Sequence, residues 1–208
     1  GRMRLRGGVQ YVIFNLAGST LFLFALGTLY AVFGSLNMAD LAERAAQLPA
    51  GDAALVRVTA AMLLLVFVLK GALLPVHFWL PNTYALAPAP VAALFAVMTK
   101  VGAYAVLRVY TLVFPDTMGA MDGLVSDTLV PAALVTLAIG MLGVLGGGTL
   151  ARITSFAVIG SMGTLFLAIG APWFLAVPGM HLAPEIAGAA ILATLSLLLL
   201  SWAYARAE

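Results

Sequence analysis

The chain is divided into apolar runs of about twenty residues, the length an α-helix needs to cross the roughly 30 Å hydrocarbon core of a bilayer. Bounded by charge, glycine or proline, six such runs stand near residues 9–33, 54–86, 88–114, 126–146, 150–171 and 185–206. An all-α, polytopic transmembrane helix bundle follows, because a helix meets the hydrogen-bonding needs of its own backbone within the segment that lipid surrounds. Composition agrees. The chain is 63% hydrophobic and 9% charged, against roughly 25% charged for a soluble domain. Ten Lys or Arg and eight Asp or Glu cannot cover a water-soluble surface, so the outer surface must face the lipid bilayer. The net charge of +2 rests on too few groups to suggest a nucleic-acid partner. The absence of cysteine removes disulfides, thiolate metal sites and iron–sulfur clusters, and two histidines leave little for haem or zinc. No metal, no cofactor and no redox centre of the chain's own is expected.

The second run is too long for one straight crossing, since 33 residues of helix reach about 50 Å. Pro75 and Pro81 fall inside it, which predicts one broken helix rather than a tilted one. Of the connecting segments, 34–53 is the sizeable polar one and has room for a short interfacial helix, whereas 115–127 carries Asp116, Asp122 and Asp127 without a cation. Arg2, Arg4, Arg6, Arg152 and Arg206 fall on one side after six passes, the side the positive-inside rule assigns to the cytoplasm. A multi-pass protein of the cytoplasmic membrane results, the N-terminus of the chain lying inside the cell. The Gly146-Gly147-Gly148 run fits a tight connection between the fourth and fifth spans. Both ends, at Gly1 and Glu208, read as cut from something longer, with residues 1–208 forming part of a single transmembrane domain.

Two lysines stand where lipid should exclude them. Lys70 lies sixteen residues into the second run and Lys100 twelve residues into the third. A charge at such depth costs at least about 2.5–3.5 kcal/mol on insertion scales and usually faces a cavity or a partner. Lysine can give up its proton when buried, whereas arginine does not, so the pair reads as a proton relay. The competing reading is static: both snorkel, or pair with a carboxylate elsewhere. Pro75 strips the carbonyl of Gly71 of its helical partner and Pro81 does the same to His77, leaving polar backbone beside a buried lysine as in the discontinuous helices of transporters. A plain proline kink would look the same locally.

His77 is a candidate relay or gate because histidine titrates near neutral pH; alternatively it occupies an interfacial turn beside a belt residue, Trp79. Tyr104, four residues after Lys100, shares its helix face by spacing and either connects to the ammonium or packs. Arg108 is either the end of a proton path or an outer anchor. Asn15 and Ser19 read as interhelical glue, with Gly18 permitting close approach. His181 and Glu185 fit an ion entry or, more simply, a helix start.

The string KGALLPVHFWLPNTYALAPAP at 70–90, continued by VAALFAVMTKVGAYAVLRVY at 91–110, resembles the antiporter-like membrane subunits shared by Mrp-type multisubunit sodium/proton antiporters and respiratory complex I. The family pattern is a lysine, a proline five residues on, His-x-Trp-Leu-Pro, Ala-Pro-x-Pro, a second lysine and Gly-x-Tyr-x-x-x-Arg, and every element is present. The wording Gly-Ser-Leu-Asn-Met-Ala-Asp at 34–40 is similar to the D-type branch of the Mrp subunits. This resemblance implies a fold of about fourteen helices, of which the chain would hold the sixth to the eleventh. Lys70 then matches the relay lysine of the broken seventh helix and Lys100 that of the eighth. A partner carboxylate on the fifth helix and a second broken helix, the twelfth, would lie beyond the two ends. The chain departs from the family at the start of the tenth helix, where Asp-Leu-Lys-Arg is replaced by Thr149-Leu150-Ala151-Arg152 and only Arg152, Met162 and Gly163 keep the pattern.

What the resemblance implies is a membrane subunit of a monovalent cation/proton antiporter, an ion-transport subunit rather than an enzyme, handling protons and Na+ beside other subunits of a hetero-oligomer. A proton-pumping subunit of NADH-quinone oxidoreductase or of a membrane-bound hydrogenase is the alternative, and a structural anchor without transport is the second. A quinone- or haem-binding subunit is disfavoured, because His77 and His181 fall near opposite membrane faces.

Overall fold

A computed structural model describes residues 2–47, 53–114, 121 and 123–170; the run at 185–206, with His181, Glu185 and Arg206, lies outside the described residues. Those residues form seven helices and no strand: α1 (Arg2–Phe33), α2 (Met38–Ala46), α3 (Ala53–Lys70), α4 (Trp79–Leu86), α5 (Ala89–Leu112), α6 (Ser126–Leu145) and α7 (Leu150–Gly170). The transmembrane bundle expected from the apolar runs is what forms. Four of the helices, α1, α5, α6 and α7, are individually long and apolar enough to cross a membrane. The second run is broken, as its length required: α3 stops at Lys70 and α4 starts at Trp79.

The first helix begins earlier than hydrophobicity suggested. It takes in Arg2, Arg4 and Arg6 and runs 32 residues, about 48 Å, longer than the roughly 30 Å hydrocarbon core. Gly34 (φ +67°) ends it in the left-handed conformation, its N–H donating to Tyr30 O at 2.7 Å. The expected short helix in the loop is α2. Asn37 caps it by accepting from Ala39 N at 3.0 Å, and Arg44 folds back to donate to the Phe33 carbonyl, meeting an orphan acceptor of α1.

Alternating direction places the start of α1, the end of α4 and the start of α7 at one end of the bundle, with Arg2, Arg4, Arg6 and Arg152. Gly7 of α1 packs beside Asn82 and Leu86 of α4 at this end. The described carboxylates, Asp40, Glu43 and Asp127, belong to the other end, where Phe33 of α1 meets Phe114 after α5.

The tightest pairing joins α6 and α7, which the glycine turn at 146–148 connects. A β-carbon at Gly140 would collide with the backbone nitrogen of Gly160, and one at Gly163 would lie 2.5 Å from that of Leu137. Backbone thus meets backbone, the close approach that small residues allow between membrane helices, where lipid supplies no hydrophobic drive for association. A second knot is aromatic: Tyr11 of α1 stacks on Phe95 of α5 at 4.9 Å, and Trp79 of α4 stands 6.0 Å from Tyr11 and 6.2 Å from Tyr84.

These contacts predict a sharp contrast between glycines. Gly163→Val should force α6 and α7 apart, costing on the order of 3 kcal/mol or more and lowering the melting temperature of the purified protein. Gly8→Ala, with nothing within 4 Å of the added carbon, should leave the melting temperature unchanged or raise it slightly, a stabilisation of up to about 1 kcal/mol. Thermal unfolding in detergent, followed by a thiol-free method such as intrinsic fluorescence, checks both.

Candidate functional site: a helix break flanked by two lysines

Lys70 is the last residue of α3, so its ammonium sits where the helix gives way. Beyond it the backbone closes in a Schellman turn. Ala72 N–H donates to Leu69 O at 3.2 Å and Leu73 N–H to Val68 O at 3.0 Å, while Ala72 takes the left-handed position (φ +53°) that glycine usually holds. That placement costs an alanine about 1–2 kcal/mol of steric strain, which the surrounding contacts must offset. The helix therefore ends five residues before Pro75, whose missing N–H and ring prevent its continuation. The Leu74–Pro75 peptide bond is cis.

Polar groups of the break find partners on other elements. Leu74 N–H donates to Thr136 Oγ1 of α6 at 2.9 Å, and that hydroxyl donates in turn to Ala132 O at 2.6 Å. Trp79 Nε1 of α4 reaches back across the break to Leu69 O at 3.2 Å. Thr136 is fully buried, and Trp79 nearly so. Trp79 is therefore a clamp inside the bundle, not the belt residue its neighbourhood suggested. Pro81 differs from expectation too. It occupies the first turn of α4, where a missing N–H costs nothing, and the His77 carbonyl is not freed but accepts from Leu80 N–H at 3.0 Å. Only Pro75 stands at the helix break.

The lysines take separate partners. Lys70 Nζ donates to Asn15 Oδ1 of α1 at 2.7 Å. The Asn15 amide is oriented by its own donation to Tyr11 O at 3.0 Å, which turns the oxygen toward the ammonium. Gly18, one turn on, leaves room for the lysine stem: a β-carbon there would lie 3.6 Å from Lys70 Cε. Lys100, only 5% exposed in the middle of α5, points the other way. Its ammonium donates to Ser161 Oγ of α7 and lies 3.4 Å from Met162 Sδ, while Ser161 itself donates to Val158 O at 2.8 Å. Among the described residues both ammonium groups thus have neutral partners and no carboxylate.

The remaining candidates separate. His77 is half-buried in the break, and its Nδ1 is buried with no hydrogen-bond partner among the described residues. Tyr104 is not brought to Lys100: it is 60% exposed, on the same outward face of α5 as Val101 and Arg108. Successive turns of a helix drift by about 40° over four residues, and here that drift carries Tyr104 out of the groove that takes Lys100. Ser19 is exposed, so of the Asn15 and Ser19 pair only Asn15 reaches across to a neighbouring helix. Residue-by-residue reading missed Ser161 and Thr136 as partners of the site. Both are small polar residues in apolar helices, a weak signal shared by Thr154, Ser155 and Thr164.

The latch between α6 and the break is open to test. Thr136→Val should strand the Leu74 N–H at a cost of about 1–3 kcal/mol, and raise amide exchange across 72–78 relative to the middle of α5. Thr136→Ser keeps the oxygen and should leave exchange near the wild-type rate.

Residues 2–201 match the family model described as NADH:quinone oxidoreductase/Mrp antiporter, TM. The chain is 41% identical over 170 residues to the D subunit of a probable K(+)/H(+) antiporter of Rhizobium meliloti (strain 1021), covering 82% of this chain and 32% of that protein. It is 37% identical over 170 residues to the D subunit of the Na(+)/H(+) antiporter of Bacillus subtilis (strain 168), covering 81% and 33%. The chain therefore spans about a third of the length of the curated relatives it matches. Among solved structures it is similar to a chain of the Mrp complex from Dietzia sp. DQ12-45-1b, with TM-score 0.68, 29% identity and coverage of 80% of this chain and 29% of that one. It is also similar to a chain of an archaeal respiratory membrane complex, the membrane-bound sulfane sulfur reductase, with TM-score 0.73, 26% identity and coverage of 82% and 34%.

Proposed function

Because the chain belongs to the NADH:quinone oxidoreductase/Mrp antiporter transmembrane family, we propose that it is part of a membrane subunit of a multisubunit monovalent cation/proton antiporter, in which Lys70 and Lys100 carry protons through a lysine-based half-channel. The observation that carries this reading is the placement of the two ammonium groups, one at the end of a broken helix and the other buried in the bundle, each held among the described residues by neutral oxygen or sulfur. A buried lysine, unlike an arginine, can release its proton, and a neutral acceptor steadies the ammonium without fixing its charge. The names of the relatives, D subunits of Na(+)/H(+) and K(+)/H(+) antiporters, support the same chemistry. His77, whose Nδ1 has no hydrogen-bond partner among the described residues, offers that nitrogen as a proton acceptor within the break. The subunit works beside sister subunits of a hetero-oligomer in the cytoplasmic membrane, exchanging protons for Na+ or another monovalent cation, with Arg2, Arg4, Arg6 and Arg152 on the cytoplasmic side.

A second reading has an observation of its own. Similarity to a chain of the archaeal sulfane sulfur reductase favours a proton-pumping subunit of a redox-driven complex. The half-channel would be the same, and only the source of energy would differ.

Cation-dependent proton flux in inverted vesicles holding the full-length complex is the assay. Lys70→Arg and Lys100→Arg preserve charge but do not release a proton under ordinary conditions, so each should abolish flux while the complex still assembles on a native gel. Wild-type flux in an assembled arginine variant would show static pairing at that residue, since a guanidinium holds a structural hydrogen bond as well as an ammonium does.

Orientation has a separate check. A cysteine placed at the exposed Leu36, in the loop between α1 and α2, should react with an impermeant maleimide added outside intact cells. Labelling from the cytoplasmic side alone would invert the topology.

A further inference from the structure

Met162 is fully buried, and its thioether touches both halves of the site. On one side Sδ lies 3.4 Å from Lys100 Nζ. On the other the terminal methyl closes over the first residue of the break: a β-carbon at Gly71 would lie 3.2 Å from Met162 Cε and 2.6 Å from Phe166 Cε2. Sδ and Cε are bonded neighbours, so a single thioether spans the gap from the ammonium to the backbone beyond Lys70. Phe166, one turn further along α7 and also fully buried, closes the same point. A proton leaving Lys100 toward the break meets sulfur and hydrocarbon there, and a thioether is a weak acceptor with no proton to pass on.

We propose that Met162 is the barrier residue of the proton path, a dry plug between Lys100 and the helix break that opens by a change of side-chain rotamer. The inference rests on the relay reading above. Methionine suits the task because it is unbranched, has three rotatable bonds and leaves its place without movement of α7. In the closed state the ammonium donates to Sδ, so a protonated Lys100 holds the plug against Gly71. When the side chain turns aside, the space it leaves is bordered by Lys100 Nζ, Ser161 Oγ and the backbone of the break, polar groups enough to hold water. The ammonium then transfers one proton to that water and becomes a neutral amine, and the amine lone pair takes the next proton from the opposite side. Phe166 stays in place throughout and limits the opening to the width of the thioether.

The test uses the full-length protein in its assembled complex, reconstituted into liposomes, with two readouts: passive proton entry after a pH step without exchangeable cation, and cation-driven proton exchange. Met162→Ala should raise passive entry severalfold and lower coupled exchange, because the barrier stays open. Met162→Gln keeps the length and volume but replaces the thioether with a wettable amide, and should change both readouts in the same direction; it decides the matter where the alanine variant does not assemble. Met162→Leu, apolar and branched, should stay tight to passive entry yet exchange more slowly. Wild-type tightness and wild-type exchange in assembled Met162→Gln would overturn the proposal. If that result accompanies a Lys100→Arg variant that blocks exchange, the relay stands and the barrier alone falls. Wild-type exchange in Lys100→Arg removes the relay, and the barrier with it.

Discussion

A backbone N–H that lipid surrounds has no water to turn to, and this constraint shapes the break between α3 and α4 and much of what packs around it. A continuous helix satisfies itself, but Pro75 forbids continuity, so donors freed along the break need partners from elsewhere. Two are met inside the Schellman turn, one by Thr136 of α6, and the Leu69 carbonyl is taken by the indole of Trp79. Each external partner ties the break to a further helix. Thr136 reaches Leu74 only because α6 lies close, and α6 is held in turn by backbone contact with α7 at Gly140, Gly160 and Gly163. The glycines of α6 and α7 are thus part of what makes a broken helix tolerable in this bundle.

The same packing separates the two lysines. Lys70 turns to α1 and Lys100 to α7, with the break and the Met162 thioether between them. Neither ammonium is fixed by a carboxylate among the described residues, and their neutral partners differ in kind. Asn15 offers an oriented amide oxygen, whereas Lys100 has a hydroxyl and a sulfur. An amide oxygen is the stronger acceptor, so Lys70 sits in the more polar of the two settings. In the proposed relay the two lysines would therefore be unequal stations. In the proposed antiporter the difference would be altered in turn by charges on neighbouring helices.

Three side chains depart from the sequence expectation for one physical reason. Pro81 has the look of a second breaker, but in the first turn of a helix proline is neutral, and the position of the turn depends on where α3 stops. Trp79 has the look of a belt residue because it neighbours a histidine and two prolines, yet the break folds it inward against Tyr11 and Tyr84. Tyr104 shares a face with Lys100 by spacing alone, yet it is 60% exposed where Lys100 is 5% exposed. Spacing along one helix gives direction to within tens of degrees, and the width of a neighbour's contact is of the same size.

The bilayer governs the part of this protein that is legible residue by residue. The four long apolar helices, the break in the second apolar run, the capped helix after the first and the two lysines in apolar runs all follow from hydropathy, proline chemistry and the cost of buried charge. Those are local properties, fixed by what each residue can tolerate in an apolar medium. The partners are another matter: that Asn15 serves Lys70, that Ser161 and Met162 serve Lys100 and that Thr136 holds the break became visible in three dimensions alone, across sequence separations of 55, 61, 62 and 62 residues. Contacts of that kind depend on which helix lies beside which and at what rotation. Close packing of glycine against backbone sets both, and no run of apolar residues records it.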